Sequence, residues 1–312
     1  MKIFWIFVVF VALLLSSFVG KIDLDFMRVF DVSSVEYQIF TQIRLPRVIL
    51  AFVSGGTLAL SGLLFQTLFR NSLATPFTLG ISGGATLGAA LAIIFGLPFI
   101  SLFGFFGALS TVVVIYFFSS KLPSSNDQRL ILVGIALSFL YSSALLIIYY
   151  LSDFEQSYLI LRFTMGSLLT VGFFDIIPII LSGALVIFMA VKYKKELKLL
   201  SISSDFAFLR GVDVQKVLIT LFVVISICIG VLVSIVGPIG FIGLIIPHMV
   251  KIVMKKSIDK LILPTFVVGG LFLLGCDTLA RILPTVSEIP VGIMTSFIGG
   301  IVFVWILLSK SR

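Results

Sequence analysis

Charge is scarce in this chain, and almost none of it falls where the sequence is apolar. Of 312 residues 12 % are charged and 60 % hydrophobic. Carboxylates are nearly missing from the long apolar runs, which speaks against a carrier driven by protons or sodium, since such carriers keep acids at mid-depth. Histidine occurs once, as His248, so no Ser/His/Asp set can be assembled and a metal site has little to build on. The two cysteines, Cys228 and Cys276, have no spacing that suggests metal binding or a disulfide framework, and read as small apolar residues. No phosphate-binding loop of the Walker type is present, so the chain does not itself bind and split a nucleotide in the usual way. Strict apolar/polar alternation is missing too, which speaks against a membrane barrel.

What remains is apolar sequence returning in stretches of about twenty residues, the length a helix needs to cross the ~30 Å hydrocarbon layer. The stretches fall at about 3–19, 48–69, 79–95, 99–118, 130–151, 174–191, 217–236, a shorter one ending near 254, 261–283 and 291–308. They predict an all-α polytopic membrane protein with about ten transmembrane helices and a single transmembrane domain over 1–312. The first stretch resembles a signal peptide in length, but no small-x-small cleavage site is clear at 16–20, so it is read as the first span. A short interfacial helix is expected at 159–169.

The net charge of +8 is a topology signal before it is a partner signal, and no nucleic-acid partner is expected. With the N-terminus inside, sixteen of the 22 Lys and Arg fall in inner segments and six in outer ones. That asymmetry predicts cytoplasmic N- and C-termini.

Four local features carry the functional reading. Arg44-Leu45-Pro46-Arg47 opens the second span, where two guanidiniums can face outward, either as interface anchors or as docking groups for an acidic partner. Arg281 adds a third arginine at that side, with Asp277 four residues earlier on the same helical face and able to pair with it. The turn Arg70-Asn71-Ser72-Leu73-Ala74-Thr75-Pro76 leads into a span whose Gly80, Gly84 and Gly88 share one face and permit close approach by a neighbour. In 203–212 a Ser or Asp cap starts a short amphipathic helix and Gly211 ends it. His248 is given a structural or helix-end role. Phe52-Val53-Ser54-Gly55-Gly56 and Phe266-Val267-Val268-Gly269-Gly270 look alike, but because they lie in spans of opposite direction the likeness is treated as chance.

Taken in order, several of these segments resemble a known family. The run comprises Arg44-Leu45-Pro46-Arg47, Gly56-Thr57-Leu58-Ala59-Leu60-Ser61-Gly62, Gln66, Arg70-Asn71-x-Leu73-Ala74-x-Pro76, Leu79-Gly80, the stretch from Gly237-Pro238-Ile239-Gly240 to Pro247-His248, and Glu288-Ile289-Pro290-Val291-Gly292. The chain is similar to the permease subunit of ABC importers for ferric siderophores, haem and cobalamin, the FecCD/BtuC type. Two positions depart from the family pattern: Ser72, where proline is usual, and Ile301, where Gly-Pro-x-Phe is usual after Gly300.

The resemblance implies a multi-pass protein of a bacterial inner membrane with a second permease copy beside it, as a homodimer or close heterodimer. Two ATPase subunits lie inside and a periplasmic or surface solute-binding protein outside. ATP and Mg belong to the ATPase, and this chain binds no cofactor or metal and has no catalytic residues. By motif match, Arg44, Arg47 and Arg281 meet glutamates of the binding protein. Asn71 and Leu73 belong to a cytoplasmic gate. Asp205, Ala207, Arg210, Gly211 and Val212 fall in the segment coupled to the ATPase. Phe163, Met165 and Ser167 are pathway candidates. A ferric siderophore is the expected cargo on family breadth, with cobalamin or haem as alternatives. An ion-driven secondary carrier and a membrane enzyme are the competing classes.

Overall fold

The structure is a computed structural model that describes residues 2–20, 25, 27–121, 127–283 and 288–310. The turn expected at Pro284, residues 122–126 of the loop before the fifth span, and Asp23 lie outside them. Among the described residues the regular structure is all helical: α1 (Lys2–Phe18), α2 (Val35–Ile39), α3 (Leu45–Leu68), α4 (Ile81–Ile94), α5 (Ile100–Lys121), α6 (Asp127–Leu151), α7 (Phe154–Thr164), α8 (Ile176–Lys192), α9 (Lys194–Leu200), α10 (Ser204–Leu209), α11 (Val214–Val236), α12 (Ile242–Met254), α13 (Ile258–Ile282) and α14 (Val291–Lys310). Among these residues five helical stretches are long and apolar enough to cross a membrane. The pair α8 and α9, bent by 67°, meets the same test when taken together, and there are four shorter apolar helices.

The architecture is built around α3. Of its most apolar window 83 % is buried, against 22 % for α6, so α3 is a central helix and α6 keeps an apolar face outward. That distribution suits a lipid-facing periphery, where exposed Leu and Phe cost nothing. The small residues of α3 show why it can be central. Gly55, Gly56, Ser61 and Gly62 are buried, and small residues let neighbouring backbones come close, which is how helices associate without a hydrophobic drive between them.

The likeness of the two Phe-Val-x-Gly-Gly runs is not chance. They pack on each other. A Cβ added at Gly55 would strike the carbonyl of Gly269, and one at Gly269 would strike the carbonyl of Gly55. Gly56 lies under the Phe266 ring and Gly270 under the Phe52 ring. The two rings meet edge-on with centroids 6.0 Å apart. Opposite direction, the ground for dismissing the likeness, is what a local twofold between antiparallel helices requires: each helix presents the same pattern to the other.

The glycine face of the third span behaves as expected at two of its three positions. Gly84 and Gly88 lie against the backbone of Gly107 and Phe103 in α5. Gly80 instead precedes α4 with φ +79° and faces Gly134 of α6. The interfacial helix is also displaced from 159–169. Asp153 caps it through a reciprocal box with Gln156, so it starts at Phe154, and Gly166 at φ +68° lies just past its end.

Candidate functional site

At the end of α3 marked by Arg47, a buried charge network joins four elements. Arg47 Nε and Nη2 donate to Asp277 Oδ1 at 3.0 and 2.9 Å, and its Nη1 donates to Glu288 Oε2 at 2.6 Å. The other Asp277 oxygen faces Arg281 Nε at 3.1 Å, the i,i+4 pair anticipated from spacing. Arg281 then turns to the end of α1. Its Nη1 donates to the carbonyls of Ser16 and Val19 at 3.2 and 2.9 Å, and its Nη2 to Ser16 Oγ at 2.8 Å. A cation thus satisfies carbonyls left over at a helix C-terminus. The Arg44 guanidinium packs on Gly20, where even a methyl group would collide with it.

The orientation of these arginines differs from the outward-facing one expected. Arg44, Arg47 and Arg281 are 7, 6 and 3 % exposed, because Asp277, Glu288 and the end of α1 draw them inward. Ser16, Thr278 and Glu288 join the network without having been singled out. No local pattern marks Ser16, whose partners Thr278 and Arg281 are more than 250 residues away, and Thr278 accepts from Arg281 three residues on at 3.3 Å, a spacing the sequence reading did not use. Glu288 stood in a recognisable motif but had no partner assigned.

Below this network lies a cleft of about 440 Å³ bounded by Arg47, Tyr158, Arg162, Met165, Ser167 and Glu288. Beneath it a larger cavity of about 870 Å³ runs from Met165 and Gly292 to residues 75–78. Among the described residues its lining contains no charged side chain. Its polarity comes from hydroxyls and backbone, and several hydroxyls already donate to their own helix: Thr86 to Ser82 O at 2.9 Å, Ser142 to Ser138 O at 2.9 Å and Thr164 to Leu161 O at 2.7 Å. They therefore present lone pairs to the cavity. The break after α11 shapes its wall, because Gly237 at φ +73° and Phe241 at φ +67° turn the chain through 238–241. Of the pathway candidates, Met165 borders both spaces and Ser167 the smaller one. Phe163 lines neither, and its carbonyl packs on Gly237.

The turn after α3 leads to the other end, where residues 75–78 line the cavity. Leu73 N–H donates to Asn71 Oδ1 at 2.9 Å, an Asx turn, and Thr75 and Thr78 bond each other's amides at 3.1 and 2.9 Å. Leu73 is exposed, and it is residues 75–78 that reach the cavity rather than Asn71 or Leu73. Close by, Gln66 donates to the carbonyls of Gly243 and Leu244 and accepts from Lys251 Nζ at 3.2 Å, clamping α12 to α3. His248 sits one turn before Lys251, edge-on to Phe303 with centroids 6.5 Å apart.

At the same end, α10 projects from the bundle. Ser203 Oγ accepts the Phe206 amide at 2.9 Å and starts the helix. Gly211 at φ +81° ends it, with Val212 N–H bonding Ala207 O at 3.1 Å and Gly211 N–H bonding Phe208 O at 2.9 Å. Ala207 is buried and anchors the turn, Arg210 lies over the Phe206 ring, and Asp205 sits in the first turn. Phe208 and Leu209 are 71 and 81 % exposed. Among the described residues no three of His, Cys, Asp and Glu gather as a metal site would need.

Known proteins resemble this chain over nearly its whole length. Residues 8–309 fit the model of the FecCD transport family. The chain belongs to the FecCD transport family. Members are permease subunits of ABC importers: translocation components whose ATPase is a separate subunit, working with substrate-binding partners as a permease dimer. The chain is 36 % identical over 310 residues to the hemin transport system permease protein HmuU of Yersinia pestis, covering 95 % of this chain and 91 % of that one. It is 34 % identical to a probable iron chelatin transport system permease protein of Helicobacter pylori, over 86 and 82 % of the two chains. It is 30 % identical to the vitamin B12 import system permease protein BtuC of Vibrio cholerae, over 88 and 84 %. A solved ABC transporter described as of metal-chelate type, in an inward-facing conformation, superposes with a TM-score of 0.86 at 30 % identity, covering 98 % of this chain and 97 % of that one.

Proposed function

We propose that this FecCD permease carries a ferric siderophore across a bacterial inner membrane by alternating access, as one half of a homodimer or close heterodimer. Both termini are cytoplasmic. The Arg47 end receives the solute-binding protein through Arg44, Arg47 and Arg281, and the Arg70 end meets two ATPase subunits through the segment containing Asp205, Ala207, Arg210, Gly211 and Val212. Asn71 and Leu73 belong to the cytoplasmic gate, and Met165 and Ser167 border the path. ATP and Mg act on the ATPase, whose nucleotide-dependent states select between the two open sides of the permease.

The observation that carries the reading is the uncharged cavity of about 870 Å³ between the arginine network and the turn at 75–78. A large chelate crosses such a space without meeting a side chain that would hold it by charge. The iron chelatin permease relative supports an iron chelate. The hemin permease relative, at 36 % identity, favours haem as the second reading.

Docking is tested on the purified permease–ATPase complex with Arg47→Glu. The expected result is loss of binding-protein docking by the fraction of the complex that elutes intact on size-exclusion chromatography, since a glutamate beside buried Asp277 also costs stability. Docking at wild-type affinity would contradict the assignment. Uptake of labelled ferric siderophore against labelled haem decides between the two cargoes.

A further inference from the structure

We infer that Glu288 is a built-in competitor for the docking site: its carboxylate holds Arg47 in the free permease, and a carboxylate of the arriving solute-binding protein takes its place. This rests on the docking reading above and adds to it the residue that must let go.

Arg47 has two partners of different kinds. Asp277 takes the Nε and Nη2 edge, is fully buried, and also faces Arg281. It is a permanent partner, because separating a buried pair strands a charge. Glu288 takes only Nη1, through a single hydrogen bond of 2.6 Å, and its side chain is 33 % exposed. It lies on no helix, three residues before α14 begins. Water and an incoming anion can therefore reach it.

The surroundings fit a carboxylate visitor. The cleft in which Arg47 and Glu288 meet is also bounded by Arg162, exposed in the last turn of α7, and by Tyr158. A guanidinium at the rim raises the local concentration of anions. Replacing Glu288 on Nη1 by another carboxylate exchanges one charge-assisted hydrogen bond for another, so the exchange itself is nearly balanced.

The exchange has a consequence at the cavity. Glu288 leads through Ile289 and Pro290 into α14, whose Gly292 N–H donates to Met165 O at 3.1 Å and whose Ile293 and Ser296 line the large cavity. Freeing Glu288 removes an anchor from the chain that feeds this wall, so an event at the rim reaches the path directly.

An internal ligand occupying Arg47 nine-tenths of the time weakens docking about tenfold. The test uses the complete permease–ATPase complex in nanodiscs and the purified, cargo-free solute-binding protein of the same importer. Glu288→Gln is expected to tighten docking by about three- to tenfold, and Glu288→Ala, which also removes the hydrogen bond, at least as much. In an Arg47→Gln background Glu288→Gln is expected to change nothing. Unchanged or weaker docking in both Glu288 variants overturns the inference, as does tightening that persists without Arg47. If Arg47→Glu abolishes docking while the Glu288 variants do not tighten it, the competitor falls and the docking reading stands. If Arg47→Glu leaves docking intact, the docking reading itself falls.

Discussion

Arg47 and Asp277 are 230 residues apart in the chain, yet two nitrogens of Arg47 donate to the same Asp277 oxygen, at 3.0 and 2.9 Å. The contact ties the start of α3 to the last turns of α13, the two helices that pack through Gly55 and Gly269. Through Arg281 it extends to α1, and through Glu288 to the start of α14. One buried carboxylate thus sets the relative positions of four elements at the rim of the cavity.

Removing that carboxylate takes the shared acid from two buried guanidiniums and leaves Arg47 with its partly exposed partner Glu288. Asp277→Ala is expected to destabilise the permease by about 3–5 kcal/mol. Thermal unfolding of the purified complex, followed by size-exclusion chromatography, measures it. A melting temperature equal to wild type would show that the network adds nothing to the fold.

The α3–α13 contact makes a paired prediction about glycine. Gly55→Leu drives a side chain into the Gly269 backbone, where no rotamer change relieves the collision, and folded protein is expected to be lost. Gly275, in the same α13, has open space where its Cβ would stand. Gly275→Ala is expected to stabilise by about 0.5–1 kcal/mol through helix propensity. Expression and thermal stability of the two variants form the check.

Phe208 and Leu209 stand out from α10 with no cover in this chain. Replacing both by Ser is expected to leave folding within about 0.5 kcal/mol of wild type while separating ATP hydrolysis from uptake. ATPase co-purification and transport by reconstituted vesicles report the two effects independently.

A charge placed in the cavity should obstruct it. Ser82→Asp puts a carboxylate in a lining with no cation to pair it, and ATP-driven uptake is expected to fall by about tenfold or more, since an unpaired charge in such a space is costly. Ser82→Ala, which keeps the lining neutral, is expected to stay within about twofold of wild type. The measurement is initial uptake rate in proteoliposomes.

Much of the fold was legible because its dominant signal is one-dimensional. Ten apolar runs were expected from length and hydropathy, and each has its helix, five long enough to cross alone, one bent pair and four shorter ones. Local signals worked at 203–212, where Ser203 and Gly211 punctuate a single turn and a half. They failed at 159–169, where the reciprocal cap of Asp153 and Gln156 was overlooked. The rim was the least legible part. Its arginines were found by motif, but their partners come from α1, α13 and the chain before α14, and only the i,i+4 relation of Asp277 to Arg281 was read along the sequence. The paired Phe-Val-x-Gly-Gly runs were visible and misjudged, because helix direction was weighed without the antiparallel contact that makes it informative.

The central claim is that the chain is a passive conduit driven from outside itself by nucleotide. Proteoliposomes containing the permease, its ATPase and its binding protein test it most directly, with uptake of labelled chelate followed with ATP, without ATP, and with ATP after every ion gradient has been collapsed. The account predicts uptake that needs ATP and the ATPase and persists without gradients. Uptake by the permease alone, driven by a proton or sodium gradient, would contradict it.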